Sequence, residues 1–593
     1  MINRDNAPLS ARDDRRLFIL STFATAVFVA LALRLFFLQV VQGPEFSRRA
    51  ERNSTQLLPF LAPRGLVYAR TDGKDDALLD NAPRFSLFYA RGGDTVFSPE
   101  AVLTELIRRL PEERATLQRK MAEARRTGKM TRLVANIPRE SALAIMERRA
   151  FLPGVNVLAE PQRRTRYGSL ASQLLGYVSE VDENDLRRDR DRWRSGQFVG
   201  RGGVEKMYDD LLRGTDGGLQ FITDAAGRHI QVLGRLSSTP GADLYLTIDR
   251  RLQEAAEAGL DASPSGRGAA VVLDPRTGEV LALASRPGFD PSESLARHVV
   301  DPRQPFFNRA LQGVYPPGSV FKILSALTGL NDAAWDTRRT FFCNGVYLLP
   351  ITGGVREFKC WNKHHRQDFF GAVAWSCNIY FYNIGLTAGP EALSARAKAF
   401  GFGEKTGIDL PSESSGLMPD REWKKRVRRE GWFDGDTLNT AIGQGYVLST
   451  PLQAAVFLAA VANGGTVWKP HLVREVRAPG GNVLWRGKSE VRRRVDLKTA
   501  TWDIVHRAMG NVVSQGSGRV VFRPDLSMGA KTGTAQNPHG EDHAWFAAYA
   551  GPKGQPAEIA VVVFVENGGH GSAAAGPIAK RIIDTAYPRP GSV

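Results

Sequence analysis

Ser319 and Lys322 stand one helical turn apart in YPPGSVFK, residues 315–322. A serine hydroxyl is a poor nucleophile until a neighbouring base takes its proton. A lysine three positions on along a helix is close enough to be that base, provided burial and a second cation depress its pKa enough to free the amine. Two more stretches follow in order, Ser376-Cys377-Asn378 in AWSCNIYFY and Lys531-Thr532-Gly533-Thr534 in GAKTGTAQ. A Ser-x-x-Lys alone is expected about once by chance in a chain of this length. Three such stretches in this order, the last on a predicted edge strand, argue against chance coincidence, and Lys531 is a candidate for the second cation. Another Lys-Thr-Gly, Lys405-Thr406-Gly407 in GFGEKTGIDLP, comes too early and opens into a proline-rich turn, so it reads as structural.

All three cysteines of the chain fall in the same region: Cys343 in FFCNGV, Cys360 in EFKCWNKHH, and Cys377 inside the second stretch. With His364 or His365 beside Cys360, they form the ligand set of a tetrahedral Cys3His zinc site. A disulfide with one free thiol, and three unlinked buried cysteines, are the competing readings. Zinc is the expected occupant, in a structural role that closes the loop between the first two motifs. His543 in EDHAWF, just after the third motif, reads as a polar loop residue or as part of a substrate rim.

The elements that must position these residues begin near Gly241. LYLTIDRRLQEAAEAGL reads as strand then helix, GAAVVLDPRTGEVLALAS as a hairpin, AWFAAYAG and EIAVVVFVEN as strands, and AAGPIAKRIIDTAY as a last helix. That order predicts an α+β domain over 241–593, with an antiparallel sheet built from both ends of the segment and helices on both sides. Residues 42–240 read as a β-rich pedestal. Within it, helices are predicted in PEAVLTELIRRL, ERATLQRKMAEARR and RESALAIMERR, forming a small helical head.

Upstream, LFILSTFATAVFVALALRLFFLQVV (residues 17–41) is long and apolar enough to span a bilayer. Arg4, Arg12, Arg15 and Arg16 precede it, so residues 1–16 are expected in the cytoplasm and the rest outside. The apolar run exceeds a signal-peptide core and no small-x-small cleavage site follows it, which favours a retained anchor. Across 593 residues, 79 Lys and Arg against 62 Asp and Glu give a net charge of +17, which suits an anionic setting. No compact basic block interleaved with aromatics is present, and nucleic-acid binding is not expected.

The three motifs resemble those of the penicillin-binding protein and serine β-lactamase superfamily. With the anchor, the stretches APRGLVYAR, GRGGVEKMYDDLLRG, FNRALQGVYPPGSVFK and TLNTAIGQGYVLSTPLQ resemble the elongation-type class B penicillin-binding proteins over nearly the whole chain after residue 17. No glycosyltransferase domain of the bifunctional class is recognisable in residues 42–240. The resemblance implies that Ser319 is acylated by a stem peptide ending in D-Ala-D-Ala, or by a β-lactam, and that Ser376 relays a proton to the leaving amine. It further implies that Asn378 holds the donor backbone and that Lys531, Thr532, Gly533 and Thr534 bind the donor's carboxylate and strand. Backbone N–H groups of Ser319 and Thr534 would form the oxyanion hole. Relatives often carry aspartate where this chain has Asn378. By the same resemblance His364 is preferred to His365 as the zinc ligand, and the implied partners are a RodA-type membrane glycosyltransferase and an MreC-like scaffold. The expected setting is the bacterial inner membrane, with the catalytic domain in the periplasm. A D,D-carboxypeptidase and a structural activator of the glycosyltransferase are the alternatives.

Overall fold

The computed structural model describes residues 11–43, 55–89, 98–127, 130–189, 191–223, 229–293 and 295–589. Arg4 and most of the expected cytoplasmic tail lie outside them. Helix α1, Ala11–Phe36, continues into a π-helical turn at Phe37–Val41. The stretch Arg15–Val41, with an 18-residue window of mean hydropathy 2.2, is the one helix among the described residues long and apolar enough to cross a membrane. Its Leu17, Ile19, Phe23, Phe28 and Leu31 side chains are all exposed, as a lipid-facing helix requires.

The chain divides into two compact units, one of 1–61, 83–160 and 216–238 and one of 62–82, 161–215 and 239–593. The pedestal expected as one block over 42–240 is therefore shared, because 62–82 and 161–215 pack with the C-terminal region. The first unit contains the three predicted helices, Pro99–Arg109, Arg114–Thr127 and Arg139–Glu147. Between the last two runs a strand, Thr131–Ile137, that the charged sequence concealed. Val102, Leu106, Leu117, Met121 and Ile145 close a small core with Leu133 and Val134 of that strand, the single apolar stripe per helix supplying one face each. Thr55–Phe60, Gly217–Thr223 and His229–Leu236 form a separate three-stranded sheet.

In the second unit, α2 (Arg250–Asp261) precedes the hairpin β1 (Gly268–Leu273) and β2 (Val280–Arg286). Then come α3 (Lys322–Asp332), the hairpin β3 (Val346–Ile351) and β4 (Gly354–Lys359), and α4 (Asn378–Ala399), which is broken at Gly389-Pro390. Helix α5 (Pro451–Ala462) precedes strands β5 (Leu526–Ala535), β6 (His543–Pro552) and β7 (Ile559–Val565), and α6 (Gly571–Ala586) closes the chain. The sheet order is β2-β1-β7-β6-β5, antiparallel at every step. Both ends of the domain thus build it, and the strand with the third motif lies at its edge. Strand β7 is buried along its whole length because α5 covers it on one face while α2 and α6 pack against the sheet. Helix α5 is accordingly apolar all round, PLQAAVFLAAVA.

Two stretches that carried the family resemblance meet in this unit. Arg64 of APRGLVYAR and Arg163 both reach Glu205 of GRGGVEKMYDD, at 2.7 and 2.5 Å, and Arg64 also reaches Asp209 at 2.8 Å. Glu205 is fully buried. Burial alone would raise its pKa, but the two guanidiniums more than offset that and hold the carboxyl below its ordinary range.

Candidate active site and cysteine cluster

Pro316 and Pro317 end the preceding segment, and a 3-10 turn, Gly318–Phe321, leads directly into α3. Ser319 sits in that turn, half-buried, with its hydroxyl making no hydrogen bond among the described residues. Gly318 has φ +53, and a Cβ there would lie 2.8 Å from the carbonyl oxygen of Thr534. Only glycine lets the turn approach β5 this closely in that conformation. Helix α3 is buried from Lys322 through Gly329, so Lys322 enters a site closed to solvent.

The second motif is a sharp junction between two helices. Phe369–Ala374 ends, Ser376 takes a left-handed φ of +59, and α4 starts at Asn378. This turn aims three oxygens at Lys322. Its Nζ donates to the Ser376 carbonyl at 2.7 Å, to Asn378 Oδ1 at 2.5 Å and to Ser376 Oγ at 3.2 Å. From the other side Lys531 Nζ donates to Ser376 Oγ at 2.8 Å and to the Thr532 carbonyl at 2.9 Å. Ser376 Oγ is therefore shared by two lysines, each fully buried.

Neither lysine has a carboxylate partner among these contacts. Burial lowers Lys322 to about 8, against an opposing pull from the cysteine thiols. Burial, and then the charge of Lys322, push Lys531 well below its ordinary range. A neutral Lys322 keeps two N–H bonds for the two carbonyl-type oxygens and presents its lone pair in the remaining direction. The pair can thus hold, take up and pass a proton through Ser376 Oγ, which is what a serine nucleophile in this site requires.

Along the open edge of β5, the Thr534 carbonyl accepts from Gln444 Nε2 at 3.4 Å. In an antiparallel strand a residue's N–H and C=O point the same way, so the Thr534 N–H also faces away from β6, toward the Ser319 turn. Thr532 Oγ1 and Ser517 Oγ are 2.7 Å apart. These groups line a cavity of about 620 Å³ that also takes in Arg356–Trp361, Asn439, Asp542, His570 and Ser572.

Beside the cavity Cys343, Cys360, His364 and Cys377 bring their ligand atoms within 4.8 Å of one another. His364 Nδ1 is 3.5 Å from the sulfurs of both Cys343 and Cys360. A tetrahedral zinc with bonds of about 2.3 Å to sulfur and 2.0–2.1 Å to nitrogen sets N and S about 3.5 Å apart, so the donors fit that ion in number, type and spacing. The three cysteines are free, with no sulfur–sulfur bond. The contact between Cys360 and Cys377 pushes Cys360 down and Cys377 up, so Cys360 is the thiolate of that pair and Cys377 keeps its proton. His365 stays exposed on the strand edge, paired with Cys343 through the backbone. The Asn378 N–H donates to Cys360 Sγ at 3.2 Å, and Asn378 Nδ2 donates to the Lys359 carbonyl at 3.0 Å. The cluster is thereby tied to the residue that touches Lys322.

A model of the penicillin binding protein transpeptidase domain matches residues 268–584, and one of the penicillin-binding protein dimerisation domain matches residues 59–246. The chain belongs to the penicillin-binding protein transpeptidase family. It is similar to the peptidoglycan D,D-transpeptidase MrdA of Acinetobacter baumannii, with 34% identity over 96% of this chain and 87% of that protein. The MrdA of Escherichia coli is 31% identical over 93% of this chain and 91% of its own length. Among solved structures, a complex between PBP2 and MreC from Helicobacter pylori aligns at TM-score 0.75 and 27% identity, covering 90% of this chain and 99% of that one. A structure described as the structural coordination of polymerization and crosslinking by a peptidoglycan synthase complex aligns at TM-score 0.70 and 28% identity, covering 98% and 99%.

The fold thus gathers Ser319, Lys322, Ser376, Asn378, Lys531, Thr532, Gly533 and Thr534 around one cavity or directly behind it. Both polar atoms of Asn378 are engaged inside the protein, by Lys322 and Lys359. His543 is half-buried beside Tyr315, with Nδ1 accepting from the Asn567 N–H, whereas its neighbour Asp542 lines the cavity. The early Lys-Thr-Gly is a turn held by Glu413, which accepts from the Thr406 hydroxyl and N–H at 2.6 Å. Sequence reasoning gave no role to Gln444, although the stretch TLNTAIGQGYVLSTPLQ that holds it was singled out, and it missed Ser517 and the cavity-lining strand β4, which have no local signature.

Proposed function

We propose that this chain is an inner-membrane peptidoglycan D,D-transpeptidase that cross-links stem peptides during cell elongation. The observation that carries the reading is Ser319 in a cavity backed by two buried lysines that share the Ser376 hydroxyl. Lys322, as a free amine, takes the Ser319 proton as Oγ attacks the carbonyl carbon of the penultimate D-Ala. The C–O bond forms, the carbonyl oxygen takes the negative charge between the Ser319 and Thr534 N–H groups, and the C–N bond to the terminal D-Ala then breaks. The proton held by Lys322 reaches that leaving amine through Ser376 Oγ. An amine from a neighbouring strand next attacks the ester carbonyl: the new C–N bond forms, the C–O bond to Ser319 breaks, and the amine's proton returns by way of Lys322 to Ser319 Oγ. Lys531, Thr532, Gly533 and Thr534 hold the donor's carboxylate along β5.

The anchor would leave the N-terminus in the cytoplasm and the two folded units in the periplasm, given Arg12, Arg15 and Arg16 on its N-terminal flank. Likeness to a PBP2 solved with MreC and to a peptidoglycan synthase complex supports an MreC-like scaffold and a RodA-type glycosyltransferase as partners. Zinc in the Cys343, Cys360, His364 and Cys377 site would serve as a structural clamp on the second motif. Fluorescent penicillin tests the whole reading: it should label the wild type covalently and fail on Ser319→Ala. An unlabelled wild type would overturn the reading and favour a structural activator. A product assay yielding trimmed stems without cross-links would instead make it a D,D-carboxypeptidase.

A further inference from the structure

Two of the stretches singled out in the sequence, GRGGVEKMYDDLLRG and FNRALQG, supply nothing to the acylation site. They converge on a separate cavity of about 180 Å³. Its apolar wall is three packed rings: Phe289 and Phe306 have centroids 4.7 Å apart, and Tyr177 meets them at 5.9 and 5.5 Å. Phe289 is buried beneath, while Tyr177 and Phe306 keep part of their surface open.

The floor carries two side-chain amides. Asn308 is 7% exposed, and its Oδ1 accepts from the Ala310 N–H at 3.1 Å. Gln312 Oε1 accepts from the Asn308 N–H at 2.9 Å. Both amide oxygens are thus spent on backbone, whereas neither amide NH2 has a partner among the described residues. The Tyr177 hydroxyl has none either. Both residues line the cavity, so their NH2 groups are donors left over for whatever fills it. The loop over the floor is held in place: Ser414 donates to Leu311 O and Gln312 O at 2.9 Å each. On its rim Ser412 has a left-handed φ of +66, a conformation that costs energy outside glycine.

This donor set selects a ligand class. An anion would want a free cation, but the one cation on the wall, Arg201, is committed to Ser179, Glu180 O, Asp182 and Asp185. An aliphatic side chain would leave both amides unpaired. A neutral ring with one apolar face and a carbonyl acceptor satisfies both the aromatic wall and the NH2 donors. We propose that this cavity binds an N-acetylated aminohexose, the acetamido oxygen accepting from Asn308 Nδ2 and Gln312 Nε2 and the sugar face lying on Tyr177 and Phe306. The physical case for the cavity stands apart from the acylation chemistry; only the assignment of the sugar to a peptidoglycan glycan strand rests on the proposed function. The floor continues through Tyr315 into the Ser319 turn, so the strand would be held on the segment that carries the nucleophile.

The test uses the full-length chain in nanodiscs, titrated with chitotriose and, separately, with maltotriose, which lacks the acetamido group. Chitotriose should bind and maltotriose should not. Asn308→Asp keeps the Oδ1 acceptor but removes the donor, and should raise the chitotriose Kd about five- to tenfold, the worth of one hydrogen bond. Gln312→Glu makes the same change at the second donor and serves if the first variant fails to fold. No chitotriose binding to the wild type, equal binding of maltotriose, or unchanged affinity in the folded variants would overturn the proposal. Fluorescent penicillin on the same wild-type preparation reads the Ser319 site independently, so failure of one reading is distinguishable from failure of the other.

Discussion

Replacing Asn378 by aspartate places a carboxylate oxygen where a neutral amide oxygen now lies 2.5 Å from Lys322 Nζ. In the wild type burial lowers Lys322 to about 8, outweighing the upward pull of the neighbouring cysteine sulfurs. Roughly one molecule in ten then holds the free amine at pH 7, against about one in a few thousand for an unburied lysine. An opposite charge at this range favours the ammonium and should move the midpoint of Lys322 upward by about 1 to 3 pH units. The neutral fraction at pH 7, and with it the rate of acylation by fluorescent penicillin, should fall about 10- to 1000-fold. The gap should narrow as pH rises past about 8 and close only above the variant's own midpoint, short of whatever is lost with the Asn378 Nδ2 bond to Lys359. Stability should move the other way. The folded value of Lys322 lies below its unfolded value, so the unfolded chain binds this proton more tightly and the wild type carries a penalty of about 3 kcal/mol below pH 8. That penalty shrinks as pH rises from about 8 toward the unfolded value. The carboxylate introduced by Asn378→Asp should remove part of it at neutral pH, giving a variant that melts higher and acylates more slowly. The measurement is the second-order acylation rate from pH 6 to pH 10.5, alongside thermal melts. A variant whose rate drops by the same factor at every pH would refute Lys322 as the base, because only a shifted midpoint follows from its titration.

Other perturbations read the rest of the frame. Gly318→Ala adds a Cβ 2.8 Å from Thr534 O at φ +53, so the turn must part from β5, and penicillin acylation should slow at least tenfold; an unchanged rate would show that the close approach is dispensable. Glu205→Ala leaves Arg64 and Arg163 buried without their carboxylate and should cost about 3–5 kcal/mol, seen as a lower melting temperature of the larger unit; a shift near zero would mean that water or Asp209 replaces it. Metal analysis of the purified chain should find one zinc per molecule, lost in Cys360→Ser together with part of the acylation rate, since Asn378 N–H donates to Cys360 Sγ. Zinc-free protein with full acylation would remove the clamp.

What could be read in advance follows how locally each feature is encoded. The β5–β6–β7 end of the sheet was legible because AWFAAYAG and EIAVVVFVEN are long β-rich runs, and burial on both faces leaves no competing helical period. Ser319, Lys322 and Lys531 were legible because each sits in a short stretch whose neighbours are fixed by the backbone: Gly318 by its left-handed turn, Lys531 by the edge strand. The strand Thr131–Ile137 was hidden, since TRLVANI lacks a period-2 alternation: Leu133, Val134 and Ile137 are the buried residues, a spacing that suits a short helical stripe as well as a strand. Asn378 shows the limit most sharply. The family resemblance implied a hold on the donor backbone; Asn378 does line the cavity, with its two polar atoms bonded to Lys322 and to the β4 backbone. That orientation depends on the left-handed φ at Ser376 and on Cys360 lying beneath the Asn378 N–H, two facts set by residues that precede it by 2 and 18 positions. A neutral amide at that point adds no charge of its own beside Lys322, so on the proposed mechanism the asparagine leaves more free amine near neutral pH than a carboxylate there would.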